Sequence, residues 1–327
     1  MDKLVARFTE QLNEALEIGR AAKIRKPEAI YNVFVTGLGG SGIGGNFAYE
    51  FVRDELKVPF VVSKSYDIPA FVGPGTLAIA SSYSGNTEET LSAMDQMLAS
   101  GATIIVVSSG GKLIEIAKEK GLHYIQVPDN WPSPRACLGY SIVQQLFILH
   151  KTGLISDASI KAIESSIPML DAELEDIQSK AHMIAQMLIG KIPVIYTTDR
   201  MESVAVRFRQ QIDENAKMLA WHHVVPEMNH NELVGWRIKN DNLAVIFFRN
   251  KDDHPRNQVR IDINKEIISH YTSTLIEVYS KGNNLVERAM YFVHLGDWIS
   301  VYLAELRGVD SIEVKVIDFL KGELAKV

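Results

Sequence analysis

Short runs of aliphatic residues alternate along this chain with longer stretches whose apolar positions recur every three or four residues. AIYNVFVTG, VPFVVSKSY, TLAIASSYSG, ATIIVVSSGG and LHYIQVP have the first pattern and are expected as strands. Several of them are apolar almost without a break, as strands buried on both faces are. GNFAYEFVRDEL, TEETLSAMDQMLASG, KLIEIAKEKG and SIVQQLFILHKTG have the second pattern and are expected as helices. In TEETLSAMDQMLASG, Thr87 is placed to cap the start and Gly101 to stop the end. Regular alternation of strand and helix predicts a parallel sheet covered on both faces, a three-layer αβα arrangement. Ahead of the first strand, Leu4, Phe8, Leu12, Ala15 and Leu16 lie at helical spacing, so one amphipathic helix is expected over residues 2–23.

The alternation pauses over residues 156–189, which are helical and charged, and then resumes. KIPVIYTTDR, NLAVIFFRN and STLIEVYS are expected as strands; MESVAVRFRQQIDENAK, QVRIDINKEIISHY and LVERAMYFVHLGDWISVYLAEL are expected as helices. The pattern divides the chain into an α/β domain at 1–155 that includes the leading helix, a helical connector at 156–189, and a second α/β domain at 190–327 with a terminal helix.

Composition narrows the setting. Net charge is −6 over 327 residues, which argues against a general nucleic-acid or anionic-membrane partner. Cys137 is the single cysteine, so no intrachain disulfide and no cysteine-based zinc site can form, and a reducing compartment fits. No apolar run reaches membrane-spanning length, and MDKLVARFTEQLNEALEIGRAAKI lacks the apolar core of a secretory leader. A cytoplasmic location is expected.

Two loops carry the candidate chemistry. VFVTGLGGSGIGGNFAYEFV, residues 33–52, places a glycine-rich turn between a strand and a helix. Glycine lets a ligand approach backbone N–H groups, and a helix start adds unpaired donors and partial positive charge. Gly37, Gly39 and Gly42 also fit G-x-G-x-x-G, but FVVSKSYD lacks the acidic residue that a dinucleotide site wants at the end of its second strand, Asp67 coming late. SSYSGNTEE, residues 81–89, offers Ser81, Ser82, Ser84 and Thr87 at the start of the next helix. Hydroxyls beside helix-start N–H groups suit a phosphate monoester, and two such loops at strand carboxyl ends lie where open α/β sheets bind ligands.

SYSGNTEET after a strand resembles the phosphosugar loop of the sugar isomerase (SIS) domain. Together with GLGGSGIGG, PSPRACLGY, NHNELVGW, DHPR and IDFLKGEL, it resembles the bifunctional phosphoglucose/phosphomannose isomerase family from about residue 33 to Lys321. The resemblance implies two doubly wound, flavodoxin-like SIS domains. It also implies interconversion of glucose 6-phosphate, and mannose 6-phosphate, with fructose 6-phosphate through a cis-enediolate, without cofactor or metal. Gly40 and Ser41, with Ser82, Ser84 and Thr87, would hold the phosphate. A carboxylate must move the proton between C1 and C2, a cation must meet the developing charge, and an acid/base pair must open the ring.

Arg135 follows two prolines that stiffen its loop, which suits a fixed guanidinium, although a surface ion pair is the plain alternative. The resemblance makes it the enediolate partner. Glu232 sits between Asn229, His230 and Asn231 on one side and Leu233, Val234 and Trp236 on the other, an apolar margin that can raise a carboxylate toward neutrality. A helix-start role is its alternative, and Glu227 competes for the base assignment in the same loop. The resemblance makes Glu232 the base at C2. His254 lies in RNKDDHPRNQ at the end of a strand, and the resemblance makes it the ring-opening acid/base, donated across a homodimer interface. Lys321 would stand beside the ring oxygen. VDSIEVKVID lacks the prolines or threonine usual before this helix, so Ser311 is the hydroxyl left to serve acceptance of both epimers. A zinc-dependent alternative finds no fitting ligand spacing. A phosphosugar-binding regulator would keep both loops without needing Glu232, His254, Lys321 and Arg135. An amidosugar-phosphate isomerase or epimerase on the same scaffold is the second alternative.

Overall fold

In a computed structural model describing residues 1–326, α1 (Asp2–Val5) and α2 (Phe8–Ala21) precede β1 (Asn32–Thr36) and α3 (Gly39–Val52). Next come β2 (Phe60–Ser63), β3 (Thr76–Ser81), α4 (Glu88–Ser100), β4 (Thr103–Ser108), α5 (Gly111–Glu119), β5 (His123–Gln126), α6 (Leu138–Lys151) and α7 (Ala158–Ala172). The remainder is α8 (Leu174–Leu188), β6 (Ile192–Thr198), α9 (Glu202–Ala216), β7 (Trp221–Val225), β8 (Leu243–Arg249), α10 (Pro255–Ser269), β9 (Thr274–Tyr279), α11 (Leu285–Arg307) and α12 (Lys315–Leu324). The expected opening helix is broken: the chain turns at Ala6 and Arg7, and Phe8, Leu12, Ala15 and Leu16 bury one side of α2 alone. A short strand that the apolar pattern did not isolate, β7, carries half-buried histidines and an exposed tryptophan rather than an aliphatic run.

These elements form two compact units: one of residues 6–172 and 281–290, the other of residues 1–5, 173–280 and 291–327. The segment 156–189 is two helices, α7 in the first unit and α8 in the second.

The first unit holds a five-stranded parallel sheet in the order β2-β1-β3-β4-β5, paired in register from Val33 against Phe60 and Leu77. All six residues of β3 are buried, as a central strand covered on both faces requires. Phe34, Ala78, Ala80, Ile104 and Val106 face Met94 and Met97 of α4 and Leu113 and Ala117 of α5. The opposite face carries α3, which packs on α6, and α6 packs in turn on α2. Gly101 closes α4 at φ 78°, the left-handed stop that its sequence predicts.

The second unit holds a four-stranded parallel sheet, β7-β6-β8-β9, the same order as the first sheet without its last strand. Val194, Tyr196, Val245 and Phe247 pack with Ile261 and Ile268 of α10 and with Met228 and Trp236. On the other face Phe248 meets Phe208 of α9 at 5.4 Å between ring centroids and Phe292 of α11 at 4.5 Å. Both sheets are therefore doubly wound α/β layers, in agreement with the sequence pattern.

Two titratable features lie inside the second unit. Arg207 of α9 pairs with Asp297 of α11 at 3.1 Å, both buried. Burial pushes the Asp297 carboxyl upward, and Arg207 opposes that push. His294 accepts a hydrogen bond from Trp298 Nε1 at 2.8 Å, and burial lowers its pKa to about 4. A histidine depressed in the fold is neutral there at pH values where the unfolded chain already binds a proton. Its contribution is complete above the ordinary histidine pKa and is lost as pH falls toward 4. Urea unfolding of the intact chain should give a stability about 2 kcal/mol lower at pH 5 than at pH 7.5 from this group. In His294→Gln that part of the pH dependence should vanish; an unchanged dependence would assign it to other groups.

Candidate active site

The strand order of the first sheet reverses between β1 and β3, and the two loops singled out in the sequence leave the carboxyl ends of these strands. The glycines of the first loop divide into two groups. A Cβ at Gly37 would stand 2.6 Å from the Ser81 carbonyl oxygen, and one at Gly42 would stand 2.3 Å from that of Gly37. These two let backbone pack on backbone. At Gly39, with φ 51°, a Cβ meets nothing within 4 Å, and at Gly40 the nearest atom is Pro134 O at 3.6 Å. Here glycine leaves open space beside backbone N–H groups, at the start of α3, whose Leu38 cap position supplies no side-chain acceptor.

The second loop lies beside the first. Ser82 Oγ shares a hydrogen bond with Thr87 Oγ1 at 2.8 Å and accepts from Gly85 N–H at 3.2 Å. Thr87 occupies the cap position of α4 in an extended conformation, yet its side chain accepts no helix N–H. The hydroxyl is turned to Ser82 instead, so the first N–H groups of α4 carry no side-chain cap. Ser41 Oγ accepts from Tyr83 N–H at 3.2 Å and ties the two loops together. Ser84 is exposed and accepts from Asn86 N–H at 3.3 Å. The loop is braced from below: Ser109 Oγ donates to Tyr83 O at 2.6 Å, and Lys112 N–H donates to Asn86 Oδ1 at 3.0 Å. Gly85, at φ 69°, has Gly110 O only 1.9 Å from where a Cβ would stand. Beneath the loops Gly40, Ser41, Tyr83, Pro134 and Ser141 help line a recess of about 20 Å³, room for a single water.

Arg135 lies in a single helical turn, Pro134–Ala136, between β5 and α6, and is 6% exposed. It is a buried side chain rather than a surface one. Because Pro134 O is the nearest atom to the open side of Gly40, the Arg135 turn and the glycine turn are neighbours. Gly40, Ser41, Ser82, Thr87 and Arg135 therefore gather in one region of the first unit, with Ser84 at its exposed edge.

The other three candidates belong to the second unit. Glu232 opens a short helical turn, Glu232–Gly235, and its backbone N–H donates to Asn231 Oδ1 at 2.6 Å. Its Oε1 accepts from the Tyr196 hydroxyl and from Trp221 Nε1 at 3.2 Å, while Trp236 Nε1 donates to the Tyr196 oxygen at 3.1 Å. Both of these side-chain bonds fall on one oxygen of the carboxylate. Burial, and then the bond to Glu232, pushes the Tyr196 phenol above its usual range, so it stays a donor. Glu232 lines an open depression of about 540 Å³ with Trp221, Trp236, Arg237 and Lys239. Glu227, the competing carboxylate, accepts from Asn231 Nδ2 at 2.8 Å.

The second sheet reverses between β6 and β8. There Thr198 Oγ1 donates to Asp253 Oδ1 at 2.9 Å and Asn250 N–H donates to Asp253 Oδ2 at 2.9 Å. The adjoining His254 is exposed and caps α10, its Nδ1 accepting from Arg256 N–H at 3.2 Å with Pro255 in the first turn. A neutral imidazole held this way carries its proton on Nε2. Lys321 is exposed on α12, none of whose residues is buried. Glu232, His254 and Lys321 thus sit on three separate elements. Sequence reasoning missed Tyr196, Trp221 and the structural use of Trp236, because a tyrosine inside an apolar strand and a tryptophan in a polar segment give no pattern of their own. Among the described residues, no group of three His, Cys, Asp or Glu side chains is placed to hold a metal ion, and no helix is long and apolar enough to cross a membrane.

Two doubly wound domains, with a glycine turn and a hydroxyl loop at the first switch point, define a protein of the SIS phosphosugar class. Residues 177–324 match the family model for the bacterial phospho-glucose isomerase C-terminal SIS domain. The chain is 39% identical to the bifunctional phosphoglucose/phosphomannose isomerase of Caldicellulosiruptor bescii, covering 100% of this chain and 99% of that protein. It is 38% identical to the Aquifex aeolicus protein of the same name over 89% of each. The chain belongs to the bifunctional phosphoglucose/phosphomannose isomerase family. Its fold is also that of the C-terminal domain of glucosamine-fructose-6-phosphate aminotransferase from Francisella tularensis, with TM-score 0.75 at 13% identity, covering 94% of this chain and 97% of that one.

The two groups of glycines make opposite predictions. Gly40→Val should leave the urea midpoint at its wild-type value and weaken inhibition by inorganic phosphate about tenfold or more. Gly37→Ala should instead lower stability by about 1–3 kcal/mol through overpacking against Ser81. Equal effects of the two on phosphate inhibition would contradict the division.

Proposed function

We propose that the protein interconverts glucose 6-phosphate and mannose 6-phosphate with fructose 6-phosphate, by proton transfer through a cis-enediolate. The observation that carries this reading is the convergence of Ser41, Ser82, Thr87 and two helix starts without side-chain caps around the open side of Gly40. Hydroxyls and N–H groups there can surround a phosphate dianion. Holding the phosphate, remote from the reacting carbons, orients C1 and C2 and converts binding energy into rate.

Glu232 is the base in this account. One oxygen takes the bonds from Tyr196 and Trp221, which leaves the other to accept the proton from C2 of the aldose and return it at C1. Arg135, buried and set in a short turn, meets the negative charge on the enediolate oxygens. His254 and Lys321 open and close the ring, and the exposure of both suits donation of His254 to a partner copy in a homodimer. Ser311 is the hydroxyl assigned to acceptance of both epimers. The reaction is set in the cytoplasm and needs neither cofactor nor metal.

Glu232→Gln should lower turnover of both aldose phosphates by about a hundred- to ten-thousandfold while fructose 6-phosphate binds as before in calorimetry. Wild-type turnover should persist in EDTA. Retained turnover in the variant would move the base elsewhere, with Glu227 the first alternative, and activity removed by EDTA would contradict the metal-free route. A wild-type protein that binds fructose 6-phosphate yet never turns it over would favour a regulatory role.

A further inference from the structure

The first helix of the first unit, α2, carries a polar residue where its apolar face would predict an aliphatic one. Gln11 lies between Phe8, Leu12 and Ala15 in the buried stripe and is itself fully buried. A buried amide is costly unless both its ends are paired. Gln11 is paired at both. Its Nε2 donates to Ala136 O at 2.7 Å, and its Oε1 accepts from Gly139 N–H at 2.7 Å. These backbone groups bracket the end of the Arg135 turn and the first turn of α6. Gly139 is fitted to this: a Cβ there would stand 2.6 Å from Gln11 Oε1.

The other end of the same loop is held independently. Tyr83, from the hydroxyl loop, donates to Pro128 O at 2.8 Å and accepts from Trp131 N–H at 3.3 Å. Further along α2, Glu14 accepts from the Tyr140 hydroxyl, and Trp131 Nε1 donates to the same hydroxyl at 3.0 Å. The loop from Pro128 to Gly139 is therefore fastened at both ends, and Arg135 stands one residue before the carbonyl that Gln11 holds.

We infer that Gln11 is a positioning residue for Arg135: its side-chain amide, donating to Ala136 O and accepting from Gly139 N–H, fixes the turn that presents the guanidinium to the reacting sugar. Hydrophobic burial of α2 would be served as well by leucine or methionine, so packing alone gives no reason for an amide here. The inference rests on the role of Arg135 proposed above. A turn free to shift by a fraction of an ångström would carry the guanidinium off the enediolate oxygens, a loss felt in turnover rather than in phosphate binding.

The test is a double-mutant cycle in the full-length enzyme, with fructose 6-phosphate as substrate. Gln11→Met keeps the length and volume of the side chain and removes both hydrogen bonds. It should lower kcat about tenfold to a hundredfold while leaving KM within about twofold. Arg135→Lys keeps the charge without the rigid fork and should itself lower kcat. In that background Gln11→Met should cost no more than about threefold, because the geometry it protects is already lost. Gly139→Ala, which crowds Gln11 Oε1 and leaves the amide in place, should reproduce the kcat loss and its dependence on Arg135; it serves if Gln11→Met does not fold. An unchanged kcat, or an equal fall in both backgrounds, would overturn the inference while the role of Arg135 stands. If Arg135→Lys turns over like the wild type, both the role of Arg135 and the positioning by Gln11 are overturned.

Discussion

The first half of the site depends on backbone packed against backbone where β1 turns into α3. Gly37 lies against the end of β3 and Gly42 against Gly37, at separations no Cβ could enter. That contact brings the start of α3 beside the loop that starts α4. Two sets of helix-start N–H groups and three hydroxyls then converge, with the Arg135 turn beside them. Parallel strands make this possible, since all of them deliver their following loops to one end of the sheet. The glycines that looked like a single motif in the sequence are thus divided between building the platform, at positions 37 and 42, and leaving it open, at positions 39 and 40.

The second unit uses the same strand order for different chemistry. Its switch point carries no glycine-rich turn; Thr198, Asn250 and Asp253 lock the strand ends together and set the start of α10, where His254 is the cap. Glu232 is supplied from the loop beyond the edge strand β7 and is held by Tyr196, rooted in the core, and by the exposed Trp221. In the proposed reaction, one architecture serves anion holding in one copy and proton handling in the other. The difference lies in which loops are short and glycine-rich and which bring carboxylate and imidazole.

Much of the fold was legible because strands covered on both faces leave a nearly unbroken apolar record, as β3 and β8 do. The edge strand β7 was not, since WHHVV has one exposed and three half-buried residues and no alternation to read. The hydroxyl loop was legible from spacing alone, but not the turning of Thr87 away from its helix toward Ser82. Arg135, Glu232, His254 and Lys321 were named mainly through likeness to a family. Long-range partners were out of reach altogether: Gln11 meets Ala136 across most of the first domain, and Tyr196 meets Glu232 across a strand, a helix and a loop. Such pairs follow from topology, which a local pattern does not carry.

A crystal structure of the protein with fructose 6-phosphate tests the account most directly. The phosphate should lie against Ser41, Ser82 and Thr87, with its oxygens within hydrogen-bond distance of the backbone N–H groups that open α3 and α4. A phosphate bound anywhere else, with that pocket left to solvent, would contradict it.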